Sequence, residues 1–396
     1  MIPIPKKQKS ERCEEYRTIS LITHASKILT KTMHKRIESK INEKIAEDQF
    51  GFRKNRGTRE AIICLRIIIE KMIRINKPLF IAFLDLEKAF DNVKWSKLFR
   101  ILEDIRMDYN DRKIIHNLYI NEIAVIKAEK GNNQVEAKIA KGVRQGCNLS
   151  PTLLNLYIEE ALKEIRKENI EGVKKGGILV QLLRFADDIA VIGESEEHKT
   201  NMLEKINCML KEHYMKINQR KTKILICSKQ QIYANITLDG IPLETVQSFT
   251  YLGSKITSDG KSHTDIVSLH GSETWTIMKA DKAKIEAFEV WCWIRMLNIS
   301  WTNKIKNDEV FRRMNTQKSI WDTLRLRRKA WIGHVIRNSP WITTIIEGKI
   351  EEKPGKERPR TPFMKQLMED TGIGTYWEMK SVISDRDKWR ETSIII

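Results

Sequence analysis

The chain has 396 residues, a formal net charge of +19 and a pI near 9.5. That length allows two or three domains and a sizeable core, and that charge favours a polyanionic partner, nucleic acid first and an anionic membrane surface second. No apolar run reaches membrane-spanning length, since Arg66 interrupts even Ala61 to Ile69; the start Met1 to Lys7 has no signal-peptide core, and the six cysteines show neither C-x-x-C pairs nor zinc spacing. A membrane-spanning chain and a secreted disulfide scaffold are therefore excluded, and an intracellular protein of nucleus or cytoplasm is expected.

In chain order, Ala25, Ile28, Leu29, Thr32, Met33, Arg36, Ile37, Ile41 and Ile45 recur at helical spacing. Leu79 to Leu84 reads as a buried strand that ends at Asp85, and Leu86 to Asp91 then turns helical. Ile123 to Lys127 and Val135 to Ile139 flank Gly131-Asn132-Asn133, which predicts a hairpin. A helix is predicted from Pro151 to about Ile165, with Ser150 as its cap. Ile178 to Leu183 and Ile189 to Ile192 flank Phe185-Ala186-Asp187-Asp188, a strand, tight turn and strand. Ser195 caps a helix running to Tyr214, Lys223 to Cys227 reads as a strand, and Asp239-Gly240 reads as a hairpin turn. Near Gly260 the composition changes, because nine of the ten tryptophans lie from Trp275 onward. Trp275, Trp291, Trp293 and Trp301 are either core aromatics or platforms for nucleic-acid bases, and Lys349 to Arg360 is an exposed basic linker suited to phosphates.

The chemistry gathers at the acids. Two adjacent carboxylates on a turn repel one another, and burial raises that penalty unless a cation neutralises them. Alone, Asp187-Asp188 is equally a solvated turn or a site for a divalent metal. Asp85 breaks the tie, because an acid at the end of a buried strand meets the turn if the two strands are neighbours. Three carboxylates around one point hold a pair of Mg²⁺ ions, with Mn²⁺ as a substitute; such pairs sit ~3.5–4 Å apart and serve in-line phosphoryl displacement. The reaction class is then nucleotidyl transfer.

Eight blocks in sequence carry a resemblance: Tyr16 to Leu21, Gln49-Phe50-Gly51-Phe52-Arg53, Phe83-Leu84-Asp85 through Phe90-Asp91, Gly142 to Cys147, Leu149-Ser150-Pro151, Phe185 to Asp188, Lys216-Ile217-Asn218 with Lys221-Thr222-Lys223, and Phe249 to Gly253. Together they resemble the reverse transcriptase of non-LTR (LINE-type) retrotransposons. The resemblance implies an α+β right-hand polymerase: fingers at 1–78, a palm of antiparallel sheet backed by helices at 79–260 (with 112–145 contributing to the fingers), and a partial thumb with a helical basic Trp-rich region at 261–396. It implies an RNA-directed DNA polymerase acting on an RNA template, a DNA primer and dNTPs. Asp85, Asp187 and Asp188, with the backbone carbonyl of Leu86, are the expected metal ligands. Phe90, otherwise a core Phe, is expected to lie under the incoming sugar and exclude a 2′-hydroxyl. Gln145 and Gly146 are expected in the nucleotide-pocket loop, and Arg17 and Arg53 either on the triphosphate or on a solvated basic face. Lys221, otherwise a solvated lysine, is expected to protonate the leaving pyrophosphate. Tyr251, Leu252 and Gly253 are expected to grip the primer end.

The chain also departs from the family. Thr18 stands where Pro is usual, Asn148 likewise, and Tyr214 replaces a usual Gly. After Asp265-Ile266 the chain moves almost at once to Leu269-His270-Gly271-Ser272-Glu273-Thr274-Trp275, where relatives place several dozen thumb residues. The endonuclease that usually precedes this enzyme is not expected. A truncated, internally deleted element copy is expected, and with it the alternative of a catalytically impaired nucleic-acid-binding remnant.

Overall fold

The computed structural model describes residues 2–5, 12, 15–120, 122–127, 134–167, 172–260, 271–276, 279–300, 303–317, 320–348 and 363–394. The turn at 131–133, the junction at 265–270, Trp301 and the basic stretch at 349–360 lie outside them. At the centre is a five-stranded sheet whose spatial order is Glu244–Val246, Lys223–Cys227, Leu79–Leu84, Asp188–Gly193 and Leu182–Phe185. Leu79–Leu84 lies in the middle, antiparallel to both neighbours, with Leu84 opposite Ile189 and Phe83 opposite Lys223.

Alternate side chains of these strands leave the sheet on opposite faces, and each face has its own core. Phe80, Ala82, Leu84, Leu182, Ile189, Val191, Ile224 and Ile226 enter one core. There they meet the helices Ser150–Lys167 and Glu196–Glu212 and the inner side of His24–Asn42. Leu79, Ile81, Phe83, Leu183, Ala190, Ile192, Leu225 and Cys227 enter the other. That core is completed by the helix Thr58–Arg74 and by Trp331, Ile332, Val335, Ile345, Phe363 and Trp389 from the C-terminal helices. A strand buried on both faces reads as an unbroken apolar run, which is why Leu79 to Leu84 carries no polar residue.

Four details differ from the sequence reading. Glu244–Val246 pairs in parallel with Lys223–Cys227, so the sheet is antiparallel except at that edge. The run Ile178 to Leu183 is two strands: Ile178–Val180 pairs with Val173–Lys175, and Leu182–Phe185 joins the main sheet after Gln181, whose carbonyl accepts from Ile192 N–H. The helix expected from Pro151 opens at Ser150, with Leu149 supplying the first carbonyl, to Leu153 N–H. Ile28 and Leu29 are exposed although they keep helical spacing, because only Met33, Ile37 and Ile41 reach the core. Of the tryptophans, Trp275, Trp331 and Trp389 are buried, whereas Trp291 and Trp377 are exposed. Among the described residues no helix is long and apolar enough to cross a membrane, and five cysteines are free thiols.

Candidate active site

Register brings the acids together. Phe185 pairs with Asp188 across the hairpin, and the Leu84–Ile189 pair sets Asp85 across from Asp188 at the end of the adjoining strand. Asp187 occupies the turn beside Ala186, which holds a left-handed φ of 56°. Asp188 is pushed up to about 6, first by loss of hydration and then by the charges of Asp187 and Asp85. Asp85 Oδ2 lies 3.4 Å from Lys221 Nζ, which supplies a local counter-charge. Lys221 reaches it because Lys216-Ile217-Asn218 runs beside Asp85-Leu86-Glu87: Asn218 N–H donates to Asp85 O and Glu87 N–H to Lys216 O, each at 2.8 Å. Leu86 is buried in that pairing.

Asp85, Asp188 and Lys221 line a cleft of about 350 Å³ with Arg220, Phe249 and Tyr251. Its wall is aromatic, with Phe83 and Phe249 stacked at 4.2 Å and Tyr251 tilted against Phe83 at 5.4 Å. Among the described residues no three His, Cys, Asp or Glu side chains close tightly enough on one point to hold an ion in this arrangement. In kind, however, the donors suit a hard divalent cation: they are carboxylate oxygens, and their negative charge is in surplus at Asp188.

The remaining expected residues fall into three places. Phe90 sits half-buried on the short helix Ala89–Asn92, whose end is joined to the 142–146 loop by Val143 N–H to Phe90 O and Gly142 N–H to Val93 O, both 2.7 Å. Gln145 O accepts from Ser20 N–H at 3.0 Å, so this loop lies beside the strand Tyr16–Ile19 that carries Arg17. Gly146 makes that approach with a φ of 99°; a Cβ there would stand 3.2 Å from Ser20 O. Tyr251 is buried with its hydroxyl donating to Leu183 O at 3.4 Å. Leu252 and Gly253, at φ 49° and 82°, form the tight turn between Ser248–Tyr251 and Ser254–Thr257. Arg53 is turned inward, donating to Ala46 O at 2.7 Å and Gln49 O at 3.3 Å, with its side chain only 10% exposed.

Sequence reasoning missed the group behind the hairpin. Arg184 is fully buried, and its Nη2 lies 2.6 Å from both Asp48 Oδ1 and Glu159 Oε2. Arg166 reaches the same two acids, at 3.1 Å from Asp48 and 2.5 Å from Glu159. Burial pushes the Asp48 carboxyl up, but Arg184 and Arg166 outweigh it and hold it below its ordinary value. A signal was present: in Leu182-Leu183-Arg184-Phe185 the arginine alternates onto the same face as core Leu182, where a charge persists only if paired.

Comparison with known proteins gives the chain its family. The family model for reverse transcriptase (RNA-dependent DNA polymerase) matches residues 4–256. The Pol polyprotein of the type-1 retrotransposable element R2 of Popillia japonica is 24% identical over 259 residues, covering 63% of this chain and 36% of that protein. Its counterpart in the type-2 element R2DM of Drosophila melanogaster is 25% identical over 272 residues, covering 65% of this chain and 25% of that protein. A 149 kDa protein of transposon TX1 of Xenopus laevis is 29% identical over 195 residues, covering 48% and 15%. The chain thus spans about a third or less of the length of these relatives. The structure of telomerase from Candida tropicalis with a fragment of telomeric RNA overlaps at a TM-score of 0.43 and 14% identity, covering 81% of this chain and 55% of that one. The match over residues 4–256 extends beyond half of the sequence, and the chain belongs to the reverse transcriptase (RNA-dependent DNA polymerase) family.

Proposed function

We propose that the chain is an RNA-directed DNA polymerase of a non-LTR retrotransposon, adding dNTPs to the 3′-hydroxyl of a DNA primer on an RNA template. The single observation that carries the reading is the register that sets Asp85 across from Asp188, beside the Asp187 turn. Nucleotidyl transfer is served by a pair of divalent metal ions; here Asp85, Asp187 and Asp188, with the Leu86 carbonyl, would hold two Mg²⁺. When bound, such a pair activates the primer hydroxyl and neutralises charge at the transferring phosphate. Lys221, whose Nζ lies 3.4 Å from Asp85 Oδ2, would donate a proton to the leaving pyrophosphate. Phe90 lies on the helix joined to the Gln145–Gly146 loop, and the two form the floor and wall of the nucleotide pocket. Arg17, on the strand beside that loop, takes the triphosphate. Arg53 supports its own loop. Tyr251 anchors the Leu252–Gly253 turn that meets the primer end, which orients the hydroxyl for in-line attack. The fingers are assigned to 1–78, the palm to 79–260 and the remainder to a partial thumb and a C-terminal region.

The test is dNTP incorporation on poly(rA)·oligo(dT) with Mg²⁺, beside Asp187→Ala. Incorporation in the wild type alone is expected. Equal signals from the two proteins, with duplex binding intact, would refute the enzyme.

A further inference from the structure

The segment 48–51 runs behind the acidic hairpin as a short parallel companion to the Leu182–Phe185 strand. Gln49 bridges Arg184, Arg184 N–H donates to Asp48 O, and Phe50 N–H donates to Arg184 O, the last two at 2.8 Å. These backbone bonds fix the base of the hairpin but stop short of its turn. The Gln49 side chain continues where they end. It is fully buried, and its Oε1 accepts from Ala186 N–H at 3.0 Å and from Gly51 N–H at 2.9 Å. Both neighbours of that atom are donors, so the oxygen, not the nitrogen, must face them. Gln49 Nε2 has no partner among the described residues, so the amide acts through its oxygen.

The turn needs such a support. Ala186 holds φ 56°, a conformation a residue with a Cβ adopts only when its surroundings impose it. Gly51 brings the support close: a Cβ there would fall 2.6 Å from Ala186 N. Asn155 Nδ2 in turn donates to Gly51 O at 2.8 Å and ties the loop to the helix Ser150–Lys167. We propose that Gln49 is a positioning residue, whose Oε1 clamps the Ala186 turn so that Asp187 and Asp188 stay facing Asp85. Its catalytic consequence rests on the polymerase reading; the clamp itself does not.

Two variants separate oxygen from bulk. Gln49→Met keeps the length and removes the acceptor, whereas Gln49→Glu keeps an acceptor to which two N–H donors are already aimed. Backbone amide exchange is measured at Ala186 and Gly51, with kcat and KM from primer extension. In Gln49→Met, exchange at Ala186 should quicken at least about tenfold while core-strand amides stay unchanged. Its kcat should fall by roughly 10- to 100-fold with KM for dNTP within about twofold, and Gln49→Glu should recover both properties to within about threefold. Should the methionine variant not fold, Gln49→Asn, whose oxygen stops a methylene short, gives the same comparison. Unchanged exchange at Ala186, exchange quickened throughout the sheet, or equal impairment of the Met and Glu variants would overturn the proposal. If the wild type extends no more primer than Asp187→Ala, the polymerase reading falls and the exchange comparison alone decides the clamp.

Discussion

The root and the tip of one hairpin carry opposite electrostatic designs. At the root, the buried Arg184 and the partly exposed Arg166 meet Asp48 and Glu159, two guanidiniums against two carboxylates. At the tip, loss of hydration and then the charges of Asp187 and Asp85 push the Asp188 carboxyl up to about 6. The root balances its charges; the tip has charge to spare and opens on a cleft. The contrast separates what the fold uses from what a ligand would use, within a few residues of one strand.

The comparison breaks most sharply at Asp187. Asp187→Ala should lower primer extension by about 10⁴-fold, ~5.5 kcal/mol in the barrier, while leaving the urea midpoint unchanged or raised. Arg184→Met should do the reverse. It leaves buried acids short of a partner and should cost about 3–5 kcal/mol in urea unfolding, whereas replacing Asp48, Glu159 and Arg184 together by Asn, Gln and Met should recover most of that loss. A single-variant cost under about 1 kcal/mol would mean that the buried acids do not depend on Arg184. Phe90→Ala should relax discrimination against ribonucleotides by roughly 10- to 100-fold, ~1.4–2.8 kcal/mol, read as the ratio of kcat/KM for dNTP and rNTP.

The smallest effect tests the tip without metal. A carboxyl raised in the folded state supports folding while it is protonated, below its unfolded value. That support is lost as pH climbs through about 6. In EDTA, Asp188→Asn should therefore be more stable than the wild type at pH 7.5 by about 1 kcal/mol, a figure reduced for the exposure of the side chain. The advantage should vanish near pH 4. A difference that persists at pH 4 would mean that charge repulsion is not its source.

The tip was legible in the sequence and the root largely was not, for a physical reason. Asp85, Asp187 and Asp188 end apolar runs, and a period of two fixes which strand ends can meet. Arg184 was visible as a misfit, but its partners lie far away in sequence, on a loop and on a helix. Pairings closed over long stretches escape local patterning in the same way, as with the parallel strand Glu244–Val246. The division at Gln181 was hidden because both strands it separates are apolar. The converse error is Ile28 and Leu29: helical spacing marks a stripe, but not how much of the stripe a partner covers.

The C-terminal helices supply the second layer beneath the sheet. Trp331 Nε1 donates to Glu60 Oε1 at 2.6 Å, and Lys71 Nζ donates to Ile346 O at 2.9 Å. The recognisable polymerase segment, 4–256, therefore shares one of its two cores with the C-terminal helices. A fragment cut at its boundary would present to water the apolar side chains of Thr58–Arg74 that share this core with the C-terminal helices, and aggregation rather than an autonomous minimal enzyme is what such trimming should yield.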